Sequence, residues 1–233
     1  MPNVDPAVAT FMSDITKAES ALMADLERLA FNMSKMTDTQ LINTTAQLNF
    51  FQELIDKGYG KAVDSFMDEY DTLLAKAVAE ARRRGIDPLA GASVEGLQTL
   101  KDLDTERLLG RANSYSLKLK SDLFGAIYGG QSVSSVIAAL EGTGLATHQM
   151  NVVAFDGIKI FDDMSRYAVH KGSGVRWTYV GPQDERTRPE CQDTKQFEPT
   201  KGYTETKASQ TQTPFGTRGG FNCRHSWMVS DVI

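Results

Sequence analysis

VRWTYV, residues 175–180, is where the chain changes character. Its β-branched and aromatic residues read as a strand. The sequence before Gly172 carries helical patterning. After Val180 the chain is polar and rich in Thr, Gln, Pro and Gly until SWMV at 226–229, which has the residues to pair with 175–180 as a second short strand. The fold class expected is mainly α: an elongated helical body with a small C-terminal α+β domain containing a short antiparallel sheet and a long loop. Residues 1–120 are expected to form the helical body, as a bundle or a coiled-coil-like assembly. Residues 121–233 form the C-terminal domain, with helices over 121–169 and a strand/loop module over 173–233.

The helical reading starts at Asp5-Pro6, a good N-cap followed by the residue favoured at the first helical position. Val8, Ile15, Leu22 and Leu29 then recur every seven residues. Met12, Leu26 and Met33 fill much of a second row, which Glu19 interrupts. The spacing predicts a long amphipathic helix over about 5–35. It faces either its own core or a second copy through a coiled coil. Thr37-Asp38-Thr39-Gln40 has capping-box spacing, predicting a helix that stops at Gly58. Another is expected from about 60 to Arg84, where Arg82-Arg83-Arg84-Gly85 supplies basic residues for the negative helix end and a glycine just beyond.

Beyond the break at 86–91, Ser93 is placed to cap a helix reaching about Tyr128. Its apolar positions are Leu97, Leu100, Leu103, Leu108, Tyr115, Leu119 and Phe124, and Gly110 and Gly125 are expected to kink or split it. A short helix over 132–141 and a last one over about 146–169 follow. His148 and His170 lie near the ends of that last helix, and both read as surface or capping residues.

The totals limit the function. The 233 residues are 41% hydrophobic and 24% charged, with no apolar run near the roughly 20 residues of a membrane span. MPNVDPAVATFMSD lacks the basic start and apolar centre of a signal peptide. Synthesis in a cytoplasm without a membrane anchor is expected. The net charge of −5 is uneven: residues 1–169 carry 16 Lys/Arg against 23 Asp/Glu, and residues 170–233 carry 9 against 7. An acidic body of that kind argues against broad nucleic-acid binding. The mildly basic tail permits contact with phosphates.

Chemistry concentrates in DERTRPECQD (184–193) and GGFNCRHSW (219–227), which hold the only two cysteines. Asp184 is placed to accept backbone N–H groups two or three residues on. Arg186 and Arg188 can bind a carboxylate or phosphate in two places. Cys191, Cys223 and His225 are candidate metal ligands, one short of a zinc set unless Asp184 or Asp193 completes it. The Cys-x-His spacing is tighter than the usual roughly two to four residues of a zinc knuckle. A Cys191–Cys223 disulfide and two free, partly buried thiols are the alternatives. A Cys223–His225 catalytic dyad is disfavoured, because a strand would turn the two side chains to opposite faces. No phosphate-cradling or dinucleotide-binding glycine pattern occurs, so the chain is not expected to be an enzyme.

In order, these pieces are helix, VRWTYV, Asp184-x-Arg186-Thr187, Cys191, and Asn222-Cys223-Arg224. The series resembles the C-terminal domain of the phage Mu F-type minor head protein family, also called head morphogenesis proteins. The likeness covers roughly residues 120–229 and includes the Gly-Gly-Gln-Ser turn at 129–132. Trp177, Asp184, Arg186, Thr187, Asn222 and Arg224 are its structural motif. His225 stands where the family has a second Cys, and Gly219-Gly220-Phe221 stands where it has a His.

The resemblance implies a structural virion protein of the head near the portal vertex. Such a protein acts in head assembly, DNA packaging or genome delivery. The implied partners are the portal protein and other capsid or neck proteins. Self-association through the N-terminal helix and phage DNA contact by Arg186, Arg188, Arg218 and Arg224 are further candidates. A small zinc- or DNA-binding module is the alternative function, and a Cys-dependent enzyme or toxin is a third.

Overall fold

The computed structural model describes residues 5–33, 35–88, 92–129, 132, 144–145 and 148–230. In chain order its elements are α1 (Asp5–Met33), α2 (Asp38–Gln47), α3 (Phe50–Leu54), a π-helical turn (Ile55–Tyr59) and α4 (Gly60–Arg83). There follow α5 (Ala92–Tyr128), α6 (His148–His170), β1 (Arg176–Val180), α7 (Pro189–Gln196), α8 (Glu205–Ser209) and β2 (Ser226–Ser230). The fold is mainly helical, with a two-stranded antiparallel sheet near the C-terminus. The helix expected over 132–141 and most of the 129–132 turn lie outside the described residues. Among the described residues, no helix is long and apolar enough to cross a membrane.

The chain divides into two compact units, each discontinuous in sequence: Pro6–Phe66 with Thr105–Asn151, and Met67–Asp104 with Val152–Ile233. Residue 120, the boundary expected from the sequence, lies inside α5.

In the first unit, α1 buries Val8, Phe11, Ile15, Ala18, Leu22, Leu26 and Met33. The second row of its seam therefore runs through Phe11 and Ala18, one residue before the expected Met12 and Glu19. Phe11 stacks on Phe66 at 4.7 Å, so the seam faces its own chain. Glu19, which interrupts the expected row, accepts the Leu145 N–H at 2.7 Å.

Thr37 forms the predicted capping box with Gln40. The helix it opens does not reach Gly58. It ends at Gln47, Asn49 caps a new turn, and Gly58 takes a φ of 111° inside the π-helical turn that leads directly into α4. Lys120 donates to the carbonyls of Ala46 and Leu48 at 2.9 and 2.8 Å, covering the acceptors exposed by that break.

In the second unit, α4 ends as its basic run and glycine predict. Gly85 sits at φ 72°, and the Ile86 N–H returns to the Ala81 carbonyl at 3.0 Å, the six-to-one bond of a Schellman motif. Ile86 then packs on Ala77, Ala81 and Val169.

The other expected break is absent. Instead of splitting at Gly110 and Gly125, α5 runs unbroken from Ala92, one residue before the expected Ser93 cap. Its apolar face also shifts near Leu103, which is 43% exposed, while Asp104 is 8% exposed and accepts the Tyr70 hydroxyl at 3.1 Å.

Gly110 is exposed, and a Cβ added there meets nothing within 4 Å. Its cost to α5 is therefore one of backbone propensity alone. Gly110→Ala is expected to raise the unfolding free energy by about 0.5–1 kcal/mol. Urea unfolding checks this as a higher midpoint with an unchanged slope.

Candidate functional site

β1 and β2 pair antiparallel with Trp177 opposite Val229 and Tyr179 opposite Trp227. Because side chains alternate along a strand, Trp177 and Tyr179 point to one face, where both are fully buried. Trp177 meets Phe215 at 4.7 Å, and Trp227 meets Tyr179, Phe215 and Tyr203 at 4.9, 5.2 and 5.5 Å. Aromatic pairs of this kind add about 0.5–1.5 kcal/mol each beyond area burial.

The polar stretch expected as a long loop is stapled to this core. It contains α7 and α8, and Tyr203 bridges to Trp177 through reciprocal backbone hydrogen bonds at 2.9 and 2.8 Å. Its lack of periodicity hid two helices of eight and five residues, too short to show a repeat.

The DERT corner forms as its residues predict. The Arg186 N–H donates to Asp184 Oδ1 at 3.0 Å. Thr187 is buried; its hydroxyl donates to the Pro182 carbonyl at 3.0 Å and accepts the Asp184 N–H at 2.9 Å. Asp184 also closes on Arg224, 40 residues later, through two bonds of 2.8 and 2.5 Å. Those bonds hold the Asp184 carboxyl well below its ordinary range. The arrangement removes Asp184 from the ligand set suggested by sequence.

Cys191, in the first turn of α7, meets Cys223 with their Sγ atoms 3.7 Å apart. Both thiols are free and buried, not bonded as a disulfide. The Tyr179 hydroxyl lies 3.6 Å from Cys191 Sγ and 3.4 Å from Cys223 Sγ. His225 joins them. The three ligand atoms lie within 4.8 Å of one another, so the cluster could hold a metal ion. Asp193, the other candidate fourth ligand, is not part of the group.

The expected alternation of Cys223 and His225 to opposite faces does not arise, because β2 begins only at Ser226. The preceding residues form a turn in which Asn222 adopts φ 54°, and both side chains reach the same buried point. His225 is 2% exposed, and its ring stacks on Tyr179 at 5.1 Å and 12°. A Cβ on Gly181 would collide with that ring, and one on Gly219 would collide with Cys191 Sγ. His225 Nε2 is buried without a hydrogen-bond partner.

Burial alone would raise the Cys223 thiol. Hydrogen bonds from His225 and Tyr179, together with the Arg218 charge, outweigh it and bring Cys223 down to about 5. Burial, the dominant cause, and the neighbouring Cys223 push Cys191 up to about 11.

Sequence reading did not find the group that holds the loop in place. Asp163, on α6, accepts Arg166 at 3.2 Å and Arg218 at 3.5 Å, and all three side chains are buried. Arg218, at φ 51°, donates to the carbonyls of both Cys223 and His225. Asp156 accepts the Asn222 N–H at 2.6 and 2.9 Å. Burial pushes Asp163 up to about 7 against the pull of Arg218 and Arg166. The available signal was Asp162-Asp163-x-x-Arg166 among the apolar residues Ile158, Phe161 and Val169 of α6. His170, expected as a surface or capping residue, is fully buried, with Nδ1–H donating to the Arg166 carbonyl at 2.9 Å. The side chain of His148 lies outside the described residues.

A cleft of about 200 Å3 opens over the cluster, with Cys191, Cys223 and His225 on its floor and Arg186, Arg188 and Arg224 around it. Arg188 donates to the Gly219 and Phe221 carbonyls. Compared with known proteins, the chain matches no family model, no curated protein and no solved structure.

Two outcomes check this geometry. In metal-free, reduced protein, ultraviolet thiolate absorbance is expected to show one of the two thiols ionised at neutral pH, with a midpoint near 5 that Cys223→Ser removes; two neutral thiols at pH 7 would contradict it. Arg218→Ala removes one of the two cations facing Asp163 and frees two carbonyls. It is expected to cost about 3–5 kcal/mol in urea unfolding.

Proposed function

We propose that this chain is a structural minor head protein of a tailed phage, placed in the virion near the portal vertex. Its C-terminal module would be locked by a zinc ion on Cys191, Cys223 and His225. The observation that carries the reading is the closure of the Asp184 corner on Arg224 across 40 residues. Asp184, the Arg186 backbone, Thr187 and Arg224 form one clasp, and the cysteine cluster lies beside it. A clasp of that kind supports assembly rather than turnover.

The donor set fits zinc. Two thiolates at about 2.3 Å from a tetrahedral ion stand roughly 3.8 Å apart, close to the 3.7 Å between the sulfurs. Thiols in plain contact share that spacing, so the zinc reading is supported instead by the buried His225 ring, whose Nε2 has no hydrogen-bond partner. Buried polar atoms without a partner are costly, and a metal would satisfy this one. Once bound, the ion would tie α7 to the segment before β2 and contribute directly to folding.

The arginines bear on the DNA-binding alternative. Arg218 is buried against Asp163, Arg188 is committed to backbone carbonyls, and Arg224 to Asp184. Arg186 is the member of the set left for phosphate, too little for an affinity built on counterion release.

The protein purified without chelator is expected to carry one zinc per chain by elemental analysis, lost in Cys223→Ser and His225→Ala. Mass spectrometry of purified particles of the encoding phage should find the chain in the head, and deleting residues 175–233 should give defective heads. Absence from the particles overturns the head assignment, whatever the zinc content.

A further inference from the structure

The cleft and the cluster together specify more than a structural ion. Tetrahedral zinc takes four ligands, and the group that converges here supplies three. The neighbouring acids are engaged elsewhere: Asp184 is turned toward Arg224, and Asp156 accepts the Asn222 N–H. The wall beside the sulfurs is Gly219, where a side chain would collide with Cys191 Sγ and come within 3.1 Å of Cys223 Sγ. The fourth coordination position therefore faces the cleft.

Its chemistry selects the entrant. Two thiolates already balance a divalent ion, so an anionic fourth ligand brings one uncompensated negative charge. Arg188 and Arg224 are occupied by the Gly219 and Phe221 carbonyls and by Asp184. Arg186, exposed at the mouth, makes no ion pair or side-chain hydrogen bond among the described residues and is free to supply the balancing charge in a planar, two-pronged form. A cleft of about 200 Å3 holds the equivalent of about six waters. That is room enough for a carboxylate or a phosphate group.

We infer that the Cys191–Cys223–His225 centre takes its fourth ligand from outside this chain: an anionic oxygen donor, carboxylate or phosphate, entering through the cleft and held by Arg186. The inference rests on the zinc reading above. It makes the clasp a docking point whose metal coordination is completed by what it binds.

Cobalt(II) replaces zinc as a coloured probe in the full-length protein, titrated separately with acetate and with inorganic phosphate. The expected result is a thiolate-to-cobalt charge-transfer band and visible d–d bands that shift saturably with anion. Arg186→Ala should weaken that titration about tenfold, the loss of roughly 1.4 kcal/mol, while keeping the bands themselves. Tighter binding of acetate would assign a side-chain or terminal carboxylate, and tighter binding of phosphate a phosphate group; both support the inference. A four-coordinate cobalt spectrum that neither anion moves, or a titration unchanged in Arg186→Ala, overturns the inference and leaves the zinc reading intact. Failure to bind cobalt at all overturns both.

Discussion

A carboxylate buried in the middle of a helix must be answered by a cation, and here the answer organises the C-terminal module. Asp163 lies fully inside, and burying an unpaired charge would cost several kcal/mol. Arg166 provides part of the compensation from the same helix. Arg218 provides the rest as an ion pair from a loop far along the chain, while its Nε and Nη2 donate to the carbonyls of His225 and Cys223. The loop conformation is thus set by a charge on α6 and not by its own propensities. Asn222 and Arg218 both hold positive φ values that non-glycine residues adopt rarely, and the ionic and hydrogen-bonded frame maintains them.

The rest of the site depends on that frame. With the chain turning at Asn222 and irregular over 223–225, Cys223 and His225 converge on Cys191 instead of alternating. The aromatic stack of Tyr179 over His225, with Gly181 beside the ring, leaves the imidazole little freedom. A ligand group held in this way could take up an ion without first being assembled. The same packing confines access to the cleft side, where one uncommitted guanidinium stands.

Features carried by near neighbours were legible beforehand. The strand VRWTYV, its partner around Trp227, the Thr37 capping box, the Gly85 helix end and the Asp184 turn each depend on residues a few positions apart. The misreadings share a cause too. Continuous packing along α5 outweighed the roughly 1 kcal/mol propensity cost of Gly110 and Gly125, so the expected break never formed. α7 and α8 were too short for periodicity to reveal. His170 was read as a surface or capping residue, yet it lies in the interior, where Nδ1–H donates to a backbone carbonyl one turn back.

By itself, the sequence determined a mainly helical chain ending in a small two-stranded module, and marked Cys191, Cys223 and His225 as the residues able to bind a metal. Local propensity, capping and ligand chemistry are properties of residues and short segments, so they can be read in order along the chain. Tertiary structure alone decided that the three side chains meet, that Asp184 is withdrawn from them, and that Arg186, of the three cleft arginines, makes no ion pair or side-chain hydrogen bond among the described residues. Those outcomes depend on charge compensation between α6 and a loop more than 50 residues away, a coupling that spacing along the chain does not encode.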